Sequence, residues 1–225
     1  MILLISIGIL AGLFFSSTFI LNRLMSLEGG HWVWSASLRY AYMILFLTAL
    51  IAMFQGVGAT GRLGRLFLRH WAFWVISGSI GFGGFYSLIC FSADHSPGWV
   101  VATTWQLTIL ASLVVLMCFG RSFPKRIWFF SSIVFLGVLM VNLSQTDITS
   151  VKALLMGGFP VLLAAFCYPT GNQLVWEAKK GNRYLPDITD PLVENPFNKV
   201  LLLSLGSVPF WLLLVAVIRP PLPSG

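Results

Sequence analysis

Charge is what this sequence has least of. Only 9% of its 225 residues are Asp, Glu, Lys or Arg, whereas 57% are hydrophobic and 15% aromatic. Its mean hydropathy is +0.87. Soluble domains carry about a quarter charged residues, because a globular surface must be covered by polar groups. So few charges exclude a soluble fold. The 14 Lys and Arg residues are scattered through apolar sequence and form no phosphate-tracking stripe, so nucleic acid is not an expected partner. The three cysteines, Cys90, Cys118 and Cys167, all lie in apolar stretches and define neither a disulfide framework nor a metal knot. The first 21 residues lack a basic region and a small-residue cleavage site, and read as a membrane span rather than a removable leader.

Apolar runs are what the chain does have. A hydrocarbon core of about 30 Å takes roughly 20 helical residues to cross. Seven segments qualify: 2–22, 33–55, 71–92, 99–119, 127–144, 153–176 and 198–218. Backbone polar groups cannot stay unpaired in lipid, and no alternating strands of a barrel are present, so the fold class is an all-α membrane protein with seven transmembrane helices.

The connections carry the charge. Arg62, Arg65, Arg69, Arg121, Lys125, Arg126, Lys179, Lys180, Arg183 and Lys199 all fall on one set of alternate connections. The opposite set holds only Arg23, Lys152 and Arg219. The positive-inside rule then places the basic set and the N-terminus in the cytoplasm of a multi-pass cell-membrane protein. The connection 177–197, with Pro186, Pro191 and Pro196, reads as an ordered, irregular cytoplasmic loop.

A weak internal repeat runs through the chain. A shift of 150 residues lays the first span on the sixth, pairing Gly8 with Gly158, Ser17 with Cys167 and Asn22 with Asn172. A shift near 160 lays the second span on the seventh, with Arg39 opposite Lys199. The two copies enter the membrane from opposite sides, as inverted repeats of an odd number of spans do. Residues 1–150 would be a first five-helix repeat and 151–225 the first two helices of an incomplete second. Seven helices against ten lead to the expectation of a chain lacking about three C-terminal helices, or a truncated relative. A complete seven-helix protein is the alternative.

Candidate functional residues are the polar groups that a span has no other reason to carry. Arg39 lies about six residues inside its span, roughly 9 Å deep at 1.5 Å per residue. It would attract a polar or anionic solute, or else snorkel to the headgroups. Thr104, Gln106 and Thr108 flank Trp105 and would line a cavity, or bond between helices. The stretch Cys-Tyr-Pro-Thr-Gly-Asn-Gln at 167–173 contains Pro169 and Gly171, so a kink or break is expected beside Tyr168 and Asn172. Ser16, Ser17, Thr18 and Asn22 occupy the matching place in the first span. The glycine-rich 77–86 stretch, and Gly8 with Gly12, are expected to permit close helix packing, with Tyr86 reaching the cavity. Trp32, Trp34, Trp71, Trp74 and Trp99 are expected as interfacial anchors. No Asp, Glu or His lies deep in a span, and the three histidines share no ligand spacing, which argues against enzymatic acid–base or metal chemistry. No cofactor or metal is implied.

The first helix ending in Asn22-Arg23, the run from Trp34 to Arg39, Trp105-Gln106-Leu107-Thr108, and Leu-Gly-Ser-Val-Pro-Phe-Trp at 205–211 resemble the drug/metabolite transporter superfamily. Within it, the chain is most similar to the multidrug resistance efflux branch, related to EamA-like permeases. The resemblance implies ten helices in two inverted repeats, a central cavity and alternating access. Small multidrug members couple export to protons through a glutamate in the first helix. Here that helix has none, since Glu28 lies beyond its end.

The expected function is a secondary transporter of a small organic solute, with Ser17, Asn22, Arg39, Tyr86, Trp105, Gln106, Tyr168 and Asn172 as the substrate-binding candidates. The expected partners are that solute and the lipid bilayer, with a coupling ion unspecified and a homodimer as an admissible assembly. The alternative reading is a non-transporting membrane assembly or lipid-binding protein. A channel ranks third, because the spans offer no continuous polar lining.

Overall fold

The computed structural model describes residues 2–144 and 154–221. Lys152, the first residue of the expected sixth span and the boundary between the two repeats lie outside the described residues. The regular structure of the described chain is all helical, in the order α1 (Ile2–Leu27), α2 (Trp32–Gln55), α3 (Val57–Arg69), α4 (Trp71–Gly78), a π-helical segment (Ser79–Gly84), α5 (Phe85–His95), α6 (Gly98–Trp105), α7 (Thr108–Cys118), α8 (Lys125–Ser144), α9 (Phe159–Lys179) and α10 (Pro196–Ile218). A short π turn, Leu154–Gly158, leads into α9, and a 3-10 turn, Pro191–Glu194, precedes α10.

Among the described residues, five helical stretches are long and apolar enough to cross a membrane: Leu3–Leu27, Trp32–Gln55, Trp71–His95, Gly98–Cys118 and Pro196–Ile218. They coincide with five of the seven expected spans. The other two expected spans form long helices, α8 and α9, that fall outside this set. α8 opens on Lys125-Arg126, and α9 carries Asn172, Gln173, Glu177 and Lys179 among its apolar residues.

Glycine decides how the helices meet. A Cβ on Gly81 would stand 2.9 Å from the Cα of Gly171, so α9 crosses the π segment backbone to backbone. A Cβ on Gly78 would lie 2.8 Å from both Gly206 C and Ser207 N, and one on Gly206 would strike the carbonyl of Trp74. Lipid tails are as apolar as leucine, so helices in a bilayer associate through this kind of close packing. The third span is thereby clamped between α9 and α10, around Trp74, Val161, Val175 and Leu202, all fully buried. The glycine-rich stretch is thus a packing surface, as expected.

Three other expectations are revised. Gly8 and Gly12 have nothing within 4 Å of a would-be Cβ, and residues 3–16 of α1 are exposed, so these glycines pack against no helix among the described residues. Trp74 is a core residue with no exposed surface, because the Gly206 contact draws its helix into the centre. α9 remains helical through Pro169, and the interruptions fall in the third and fourth spans. In the fourth, the Thr108 hydroxyl takes the Trp105 carbonyl at 2.6 Å and the Ile109 N–H turns to the Gln106 carbonyl at 3.2 Å. A side-chain hydroxyl here competes with the helical ladder.

Substitution should separate the two classes of glycine. Gly206→Val, forced against the Trp74 carbonyl, should destabilise by at least about 1–3 kcal/mol. Gly61→Ala, in open space within α3, should stabilise by about 0.5–1 kcal/mol. Thermal unfolding of the detergent-solubilised protein reads both.

Candidate functional site

The C-terminal half of α1 presents Phe15, Thr18, Phe19 and Asn22 at helical spacing, one face directed at the third and fourth spans. Asn22 and Tyr86 are both buried, and the Tyr86 hydroxyl donates to Asn22 Oδ1 at 3.2 Å. The Arg39 guanidinium donates to the same hydroxyl at 2.6 Å and lies 4.6 Å from the Tyr86 ring centroid. Three helices, α1, α2 and α5, therefore share one relay running from Arg39 through Tyr86 to Asn22. Its far end is open: among the described residues, the buried Asn22 Nδ2 has no hydrogen-bond partner. Tyr40 packs against Tyr86 at 5.7 Å and stacks on Trp211 at 5.1 Å, which holds the relay's ring in place.

An aromatic cluster adjoins the relay. Phe85, the neighbour of Tyr86, lies 4.9 Å from Trp105 and 5.1 Å from Tyr168. Trp105 meets Tyr168 at 6.0 Å and Phe15 at 5.9 Å, while Phe15 and Phe19 touch edge to face at 5.3 Å. Trp105 sits where the fourth span is interrupted, and Gln106, next to it, is exposed. Tyr168 is also part of the wall of a cavity of about 440 Å³, with Ser112, Asn172, Gln173, Trp176 and Lys199. There Asn172 Nδ2 donates to the Tyr168 carbonyl at 3.0 Å.

Of the eight sequence candidates, Asn22, Arg39 and Tyr86 are joined in the relay, Trp105 and Tyr168 in the cluster, and Asn172 lines the cavity. Ser17 stands apart, its hydroxyl turned back to the Phe14 carbonyl at 2.8 Å. Gln106 joins neither group. Phe15, Tyr40 and Phe85 were missed by sequence reasoning: the two phenylalanines carry no polar signal in an apolar span, and the Tyr40 hydroxyl had no polar neighbour pattern to single it out beside Arg39. Phe85 had one cue, its place directly beside Tyr86 after the glycine run. Glu177 was missed as well. It is buried near the end of α9, where Arg121 (3.3 Å), Gln173 (2.9 Å) and Asn182 (3.3 Å) all donate to its carboxylate.

Apolar helices that enclose such polar groups are those of a multi-pass membrane protein. The family model described as "Putative multidrug resistance efflux transporter" matches residues 2–225, and the chain belongs to that family, part of the drug/metabolite transporter superfamily. The chain is 36% identical over 228 residues to "Uncharacterized protein YjlA" of Bacillus subtilis (strain 168), covering 94% of this chain and 65% of that protein. It is 35% identical over 222 residues to "Uncharacterized 42.1 kDa protein in intracellular alkaline protease 3'region" of Shouchella clausii, covering 94% and 54%. The chain thus spans between about half and two thirds of the length of these curated relatives. No solved structure matches.

Tyr86→Phe removes the hydroxyl that both Arg39 and Asn22 use. It should lower stability by about 1–3 kcal/mol, the cost of leaving buried polar groups unsatisfied. A thermal melt of the purified protein measures it.

Proposed function

We propose that this chain forms most of a secondary transporter that moves a small organic solute by alternating access, between the first, third, fourth and sixth of seven spans. In this reading the N-terminus is cytoplasmic and the fold is the larger part of a ten-helix inverted repeat. The repeat is supported by where its paired positions fall: Asn22 and Arg39 share the relay, while their counterparts Asn172 and Lys199 line the same cavity.

The observation that carries the proposal is the open donor at Asn22. Arginine has only donors, so the Tyr86 oxygen accepts from Arg39 and its hydroxyl proton must seek an acceptor. Asn22 supplies its carbonyl oxygen, which leaves the amide N–H₂ as the free end. A solute would therefore present a hydrogen-bond acceptor there and lay a flat apolar body on Trp105, Phe85 and Tyr168. The relay carries the Arg39 cation, and Arg23 stands nearby, donating to the carbonyls of Ala93 and Asp94 at 3.0 Å. The Asp94 carboxylate is engaged by Ser26 at 2.5 Å. Two arginines against the single carboxylate of Asp94 leave these groups net positive, which disfavours organic cations, so neutral or anionic solutes fit best.

The full-length protein reconstituted in proteoliposomes tests this. It should move acceptor-bearing aromatic or apolar solutes in preference to organic cations. Asn22→Leu should reduce their transport about tenfold, the equivalent of one buried hydrogen bond of about 1.4 kcal/mol. Preference for cations, or full transport by the Asn22 variant, would sink the reading.

A further inference from the structure

α3 is held at the membrane surface by its connections. It joins two spans, α2 and the third, through one residue at each end, Gly56 and His70. Gly56 has a φ of +82°, which turns the chain sharply out of α2 and which a side chain would strain. Thirteen residues so tethered cannot cross the bilayer, and they lie along its face.

The helix has three faces. Ala59, Leu63 and Leu66 are buried against the body of the protein. Val57 and Leu68 are 76% and 70% exposed on the opposite side. Between these faces runs a stripe of Arg62, Arg65 and Arg69 at spacings of three and four, which brings their side chains onto one side. All three line one groove of about 480 Å³, closed by Asp190 and by Pro191 and Leu192 of the 3-10 turn that it caps. Among the described residues none of the three has an ion-pair partner within 4 Å.

The acids at the groove are already engaged. Asp190 accepts from the Leu192 N–H at 2.8 Å and caps its turn. Asp187 accepts from the hydroxyl and N–H of Thr189, bonds that hold its carboxyl below the usual range, with the charges of His70 and Arg69 adding to the effect. Three guanidiniums thus face one carboxylate inside the groove, a net positive cradle with forked donors suited to phosphate oxygens.

We infer that the Arg62–Arg65–Arg69 groove is a phosphate-binding site at the membrane surface, occupied by the headgroup of an anionic phospholipid. The same donors would accept a free phosphate, but a groove beside an exposed apolar face at the bilayer surface favours the lipid. This site is separate from the relay and does not depend on the transport reading.

The full-length protein, purified in detergent with mixed phosphatidylglycerol and phosphatidylcholine, tests the inference by native mass spectrometry of retained lipid. Phosphatidylglycerol should be retained over phosphatidylcholine, with retention falling about fivefold for each arginine replaced in Arg62→Gln, Arg65→Gln and Arg69→Gln. Lys125→Gln with Arg126→Gln, elsewhere on the same basic side, should leave retention unchanged. Asp190→Asn preserves the capping oxygen and removes the opposing charge, so it should strengthen retention even if the triple variant folds poorly. Inorganic phosphate that displaces no lipid yet binds with the same arginine dependence would assign the groove to a soluble phosphate and overturn the lipid assignment. Equal retention of both lipids, or retention indifferent to the arginines and to Asp190, would overturn the site itself.

Discussion

The contact of Gly81 with Gly171 is the constraint on which the rest of the structure depends. With no Cβ on either side, α9 meets the third span at backbone distance, and the Gly78–Gly206 contact fixes α10 against the same span. Helices in lipid gain little from burying apolar side chains against one another, so closeness of approach determines which helices associate. Both crossings fall next to or within the π segment Ser79–Gly84. Phe85 and Tyr86 follow it immediately, and so stand where α1, α2, α9 and the fourth span converge. A side chain at Gly81 or Gly171 would push α9 outward and draw Tyr168 away from Phe85 and Trp105.

Electrostatics account for the side chains gathered at that point. An arginine within a span is costly unless its donors are used. Arg39 meets this demand on Tyr86, by a hydrogen bond and by the face of the ring together. Tyr86 in turn needs an acceptor, and Asn22 provides it. Each group in the series is satisfied by the next, and the series ends one bond short, at Asn22 Nδ2. An unsatisfied buried donor is a standing cost of about 1–3 kcal/mol. In the proposed reading a solute acceptor makes that bond, which gives the site its chemical direction.

Much of this was legible in the sequence, for a physical reason. Hydrocarbon imposes length, apolarity and helicity together, so the long helices announce themselves as runs. Polar residues inside those runs stand out against the background, which is why Asn22, Arg39 and Tyr86 are recognisable as candidates without knowledge of their contacts. The glycines at 78–84 were likewise readable as a packing face. What was illegible depends on neighbours remote in the chain. Trp74 has the composition of an interfacial anchor, and only the approach of Gly206 makes it a core residue. Pro169 has the chemistry of a helix breaker, yet the interruption falls at Gln106, where the Thr108 hydroxyl competes for a carbonyl that composition alone would assign to the helical ladder. Ser17 and Asn22 look equivalent in sequence, but one bonds its own helix while the other faces Tyr86.

The placement of acid completes the picture. The first helix carries no carboxylate, and its polar end is a donor backed by arginine. The buried carboxylate of the described structure, Glu177, lies instead near the end of α9, with a guanidinium and two amides on its oxygens. A group that shuttles protons must shed its partners readily, whereas Glu177 ties α9 to Arg121 and to the turn that holds Asn182. Its donors make it an anchor for the cytoplasmic end in the proposed orientation. The two buried polar groups therefore differ in kind: Asn22 is a donor awaiting an acceptor, Glu177 a carboxylate already surrounded. That asymmetry gives a solute with an acceptor group a reason to be bound at Asn22 and none to be held at Glu177.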